Sequence, residues 1–85
     1  MRMLFIVDAE SRLVGRVDIQ DLALEPASTR LEEIQQPVEA MVNAMAPREE
    51  VVEILDRFRI TDLPVIDVNE RLIGVVRYRN LVAAA

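Results

Sequence analysis

Asp18, Asp21 and Glu25 are the residues whose spacing best suits cation chemistry: the two aspartates stand three apart where a helix is expected to start, and the glutamate follows one turn on. Magnesium takes oxygen ligands in octahedral geometry and usually keeps several waters, so a few carboxylates brought together across an interface suffice. Arg77 offers the opposite chemistry, a guanidinium able to attract a phosphate. Each residue also has a plainer reading. Asp21 and Asn80 suit helix starts, Asp18 an exposed position, and Asp8 and Asp67 turn formation.

Other chemistries are excluded by composition. The chain has no Cys and no His, which removes disulfides, thiolate nucleophiles, imidazole bases and the usual zinc ligands. Ser11 and Ser28 have no base to activate them, and no phosphate-cradling Gly-rich loop is present. All ten cationic residues are Arg and are scattered, and the formal net charge is −5, so a nucleic-acid footprint is missing. No apolar stretch approaches the roughly 18 residues of a membrane helix. The sequence thus points to a non-catalytic chain.

The elements that position these residues come from a repeat. Residues 4–22 return as residues 63–81 without a gap, with seven identities (Leu, Asp, Arg, Leu, Gly, Val, Leu). Each copy reads as an apolar strand, an Asp-led polar turn, a second apolar strand and the start of a helix. Gly15 and Gly74, the two glycines of the chain, fall inside the second strands, where a bulge or a close approach is expected.

Between the copies, Asp21–Glu25 reads as a short helix broken by Pro26, and Ser28 or Thr29 is placed to cap a turn over 30–34 in a capping box with Glu32. Leu31 and Ile34 would anchor that turn. Residues 38–42 read as a short strand. A helix is expected from Pro47, with Val51, Ile54, Leu55 and Phe58 on its apolar face and Glu49, Glu50 and Glu53 in solvent. Leu63, Val65, Leu72 and Val75 read as core, and Met41 and Met45 as core or surface filler. At 85 residues the chain buries only about 60% of its unfolded surface. With 52% hydrophobic residues, it is expected to self-associate.

On these residues the chain resembles the cystathionine-beta-synthase (CBS) domains. Residues 38–85 look like one complete unit of mixed α/β (α+β) build, strand, helix, strand, strand, helix, marked by Leu63-Pro64-Val65-Ile66-Asp67 and Leu72-Ile73-Gly74-Val75-Val76. Residues 1–25 resemble the back half of a preceding unit, with 26–37 as linker, so that Met1 starts in mid-domain. The linker Leu24–Ile34 and the approach Phe58–Pro64 are similar to the paired CBS domains of MgtE-type magnesium transporters. That resemblance implies a cytosolic, dimeric regulatory module ahead of a membrane domain, responding to Mg2+.

In CBS pairs that bind adenine nucleotides, AMP or ATP, a hydroxyl three residues after the Gly and an Asp three further on often meet phosphate and ribose. The corresponding positions are Asp18 and Asp21 in the first copy and Arg77 and Asn80 in the second. Neither copy has the hydroxyl, and Ala46 stands where the family often has a Thr. Spacing thus offers Asp18, Asp21 and Glu25 for a cation, Mg2+ first, and the resemblance offers Arg77, Asn80 and Asp21 for a nucleotide as the alternative. A purely structural dimerisation unit is the third reading.

Overall fold

The computed structural model describes residues 2–79. Two antiparallel hairpins carry the repeat. In the first, β1 (Met3–Val7) pairs with β2 (Leu13–Asp18). In the second, β4 (Asp62–Ile66) pairs with β5 (Leu72–Arg77) in the same register shifted by the repeat. Both ladders skip one residue, Val14 in β2 and Ile73 in β5, immediately before the glycine. The expected bulge is therefore present in both copies, and the glycines lie beside it.

The close approach is present in one copy only. A Cβ on Gly15 would meet the Gln35 side chain at 3.0–3.3 Å, whereas a Cβ on Gly74 would meet nothing within 4 Å. The linker causes the difference. Gln36 exchanges backbone hydrogen bonds with Arg16, donating at 2.8 Å and accepting at 2.9 Å, and so lays Gln35 over β2.

After β2 the chain turns into α1 (Ile19–Ala23), whose N-cap is Asp18, so Asp21 sits inside the first turn and not at the cap. The turn at 30–34 forms as α2 (Leu31–Ile34), without the expected capping box. Its N-cap is Arg30, which puts Thr29 one position too early to serve, and the Thr29 N–H donates to Pro26 O instead. Leu31 is exposed there, while Ile34 is half-buried.

The expected strand over 38–42 is shorter and later, β3 (Val42–Asn43), parallel to β4. Residues 37–41 cross from the edge of β2 to the edge of β4 and have no ladder partner to make them a strand. Asn43 then ends β3, its side-chain Oδ1 accepting the Met45 N–H and its backbone O the Ala46 N–H.

Helix α3 (Arg48–Phe58) begins one residue after Pro47, which is its N-cap. Glu49 and Glu50 lie in its first turn and Arg57 in its last, as the helix dipole favours. Arg59 ends it in the left-handed region, φ 52°. Its apolar face packs into one cluster, Val42, Leu55 and Leu63 buried, with Ala40, Ala46, Val51, Ile54, Ile60, Val65 and Val76 against them. Phe58 and Val75 are not in that core. Phe58 is 40% exposed at the lip of a cleft, and Val75 is 41% exposed because it points to the sheet face opposite its neighbour Val76, which packs on the core. Met41 and Met45 are exposed. Tyr78 and Arg79 are helical, opening the last helix of the second copy. Asn80 and Leu81 lie outside the described residues.

Candidate functional site

Each hairpin has a closed end, the turn, and an open end, where its strands enter and leave. The closed ends are built by Asp8 and Asp67. Asp8 Oδ1 accepts from the Glu10 and Arg12 N–H groups, both at 2.9 Å, and Oδ2 accepts from Arg12 Nε at 2.8 Å. Asp67 repeats this with Asn69, Arg71 and Arg71 Nε at 2.8, 3.0 and 2.9 Å. The backbone N–H of Arg12, with help from that of Glu10 and the guanidinium, outweighs a smaller desolvation effect and holds Asp8 below the ordinary aspartate value. Arg71 does the same for Asp67. Both are turn formers, as expected.

The open ends hold the clefts. Ile19 N–H donates to Arg2 O, and its repeat equivalent Tyr78 N–H donates to Thr61 O, so Arg2 and Thr61 take matching places in the two copies. A cleft of about 280 Å3 opens between them, lined by Arg2, Thr61, Asp62, Arg77, Tyr78 and Arg79. Three arginines and one aspartate are among its lining. Among the described residues no ion pair engages Arg2, Arg77 or Arg79. Three unpaired arginines form an anion-attracting cleft, suited by their forked donors to phosphate oxygens.

A neighbouring cleft of about 290 Å3 shares Thr61 and holds Asp18 in the place equivalent to Arg77. Arg16, Asp18 and Glu39 are drawn together there, whereas Arg59 has no ion-pair partner among the described residues. Arg16 donates through Nη2 to Glu39 at 3.0 Å and through Nε to Pro37 O at 3.1 Å. Asp18 Oδ1 is buried without a hydrogen-bond partner, with Arg16 Nη1 at 3.8 Å. Asp18 is thus half-buried rather than simply exposed. A third hollow, lined by Leu55, Asp56, Arg59, Ile60, Thr61 and Tyr78, also meets at Thr61.

The structure does not bring Asp18, Asp21 and Glu25 together. Asp21 and Glu25 line a separate cleft with Glu33, and α1 ends before Glu25 can lie one turn after Asp21. Among the described residues no three Asp or Glu side chains form a group able to hold a metal ion. Arg77 lines the 280 Å3 cleft, and Asn80 lies outside the described residues. Sequence reasoning missed Arg2, Thr61 and Arg79. Extending the repeat two residues upstream, to Arg2 and Thr61, was the signal for the first two.

Two hairpin repeats with a cleft between their open ends are what this geometry defines, and comparison with known proteins gives the class. The CBS domain profile matches residues 31–85, and the chain belongs to the CBS domain family. It is 34% identical over 73 residues to the magnesium transporter MgtE of Thermus thermophilus, covering 86% of this chain and 16% of that protein. The crystal structure of the cytosolic domain of the Mg2+ channel MgtE in complex with ATP superposes with a TM-score of 0.89 at 30% identity, over 98% of this chain and 34% of that one. A CBS domain pair solved with 5'-methylthioadenosine and S-adenosyl-L-methionine gives 0.77 at 26%, over 96% and 68%. The mixed α+β build matches theirs. Among the described residues no helix is long and apolar enough to cross a membrane.

Proposed function

We propose that this chain is the ligand-sensing part of a cytoplasmic CBS module that controls an attached magnesium transporter of the MgtE type, and that its ligand is an adenine nucleotide. The observation that carries the ligand is the cleft with three unpaired arginines, Arg2 from one repeat and Arg77 and Arg79 from the other. A triphosphate lying between them gains charge-assisted hydrogen bonds from both repeats, and the exposed Tyr78 ring supplies a stacking face for a base. Binding favours one arrangement of the two repeats, and the attached domain responds to that shift in population. Residues 1–25 and 38–85 then act as a partial and a complete CBS unit joined by the linker 26–37, and the module works as a homodimer.

The likeness to MgtE favours a second reading, direct sensing of Mg2+. Asp18, Asp21 and Glu25 do not fit such an ion within one chain, since they lie in different clefts. That reading needs carboxylates from a second copy or an attached segment.

The test is thermal unfolding and calorimetry with ATP, AMP and MgCl2 at matched ionic strength. ATP is expected to raise the midpoint, and Arg77→Ala to weaken ATP binding about 10- to 100-fold, the loss of one charge-assisted contact. Asp18→Asn with Asp21→Asn is expected to leave ATP binding in place. A midpoint raised by magnesium alone, and lost in that double variant, would replace the nucleotide reading with the cation one.

A further inference from the structure

The repeats are joined at their closed ends in a way that neither needs for its own fold. Leu13 N–H donates to Glu70 O at 3.0 Å and Leu72 N–H donates to Ser11 O at 2.9 Å, two bonds that exchange under the repeat. Arg12 and Arg71 face each other between them as an antiparallel pair. Ser11 and Glu70, the two accepting residues, are both in the left-handed region, at φ 66° and 65°. Asp8 and Asp67 hold those turns rigid through the bonds described above. The tips are a stiff, two-fold junction.

Away from the tips no strand of one hairpin pairs with a strand of the other among the described residues. The hairpins belong to different sheets. The core around Val42, Leu55 and Leu63 takes all its members from residues 40–76 and none from the first hairpin. Gln36, Pro37 and Glu39 are tied to Arg16 on the first hairpin, while Ala40 packs on the second core, so the chain passes from one to the other at 39–40. The clefts that share Thr61 lie at the open ends, with Arg2 and Met3 on one arm and Thr61 and Asp62 on the other.

We infer that the paired turns at Ser11–Leu13 and Glu70–Leu72 are the fixed pivot of the module, about which the two hairpins open and close at the cleft end. Each arm is a five-residue strand, about 17 Å long, so a rotation of about 5° at the tips moves the cleft walls by about 1.5 Å. That is enough to make or break a hydrogen bond to a ligand spanning the arms. The pivot stands on the hydrogen bonds of the tips, backbone and aspartate together. Only the statement that ATP closes the arms rests on the nucleotide reading.

The absence of cysteine allows a direct test by paired spin labels. Ala9→Cys with Val68→Cys reports the tips, and Gln20→Cys with Arg57→Cys reports the open ends. In the unliganded protein the tip distance is expected to be narrow and the open-end distance broad. ATP is expected to narrow and shift the second and leave the first unchanged. A tip distribution as broad as the open-end one overturns the pivot, whether or not ATP binds. Failure of ATP to bind removes the nucleotide reading and leaves that comparison decisive.

A second variant staples the junction. Arg12 and Arg71 are a non-hydrogen-bonded antiparallel pair, whose Cα separation of about 4.5 Å suits a disulfide. Arg12→Cys with Arg71→Cys is expected to crosslink on oxidation and to leave the open-end distribution as broad as in the reduced form. Narrowing of the open ends on oxidation would show that the tips move and would overturn the inference.

Discussion

Asp8 and Asp67 each do one job through three hydrogen bonds, and the sign of their titration follows. Their carboxyls are held below the ordinary aspartate value in the folded chain, so the unfolded chain takes up protons first as pH falls. The stability they supply is complete above about pH 4 and is lost as pH drops through the lower folded value. Asp8→Asn with Asp67→Asn keeps a turn-forming oxygen but cannot be protonated. The variant is expected to be less stable at neutral pH, with the gap to the natural chain closing as pH falls below about 4. Urea midpoints across that range measure it, and a constant gap would refute the account. Arg59 gives a prediction of the opposite sign. It ends α3 at φ 52°, where a side chain costs roughly 1–2 kcal/mol. Arg59→Gly removes that strain, partly offset by the greater entropy it gives the unfolded chain, for a net stabilisation of about 0.5–1 kcal/mol. No change in the urea midpoint would mean that Arg59 is not strained there.

At the scale of elements, the two glycines separate what a repeat shares from what its surroundings add. Gly15→Ala must push against Gln35, whose own Cβ is 3.3 Å away and fixed by the Arg16–Gln36 bonds, and is expected to cost about 1–3 kcal/mol. Gly74→Ala meets open space at an ordinary backbone conformation and is expected to gain about 0.4–1 kcal/mol. For a chain this size each kcal/mol moves Tm by about 4–8 °C, so the pair should diverge clearly in a melting scan. Equal shifts would mean that the linker does not press on β2. The glycines also show which parts of the structure were legible in the sequence. Hairpins, bulges and Asp turns rest on contacts within a few residues, and the repeat displayed them twice. The capping box failed because α2 starts one residue late, at a position that Thr29 cannot reach. The strand at 38–42 failed because pairing partners, not propensity, decide where β3 lies. The anion cleft was half legible: Arg77 stood out, but Arg2 reaches it only through the folding of the two copies side by side.

The whole molecule is less compact than its mass calls for. It exposes 6099 Å2, where a compact 9.7 kDa chain exposes about 5,100 Å2. Its radius of gyration is 13.6 Å against an expected value of about 12 Å. The surplus, about 1,000 Å2, is close to the roughly 800 Å2 that each partner buries in a standard protein interface. Part of it is apolar and lies on the hairpins: Leu4, Val7, Val14, Ile73 and Val75 are all more than a third exposed. Leaving that surface in water is unfavourable by about 25 cal/mol for each Å2, which favours its burial against a second copy. The chain is therefore expected to sediment as a dimer at micromolar concentration, above a dissociation constant on the order of 1 µM. Val14→Asp with Ile73→Asp changes the bulge residue of each hairpin, both already in solvent, and should shift the equilibrium to monomer without loss of helical circular dichroism. A monomer across the whole concentration range would leave the surplus surface to a different partner, and a dimer untouched by both charges would place the contact away from the hairpin bulges.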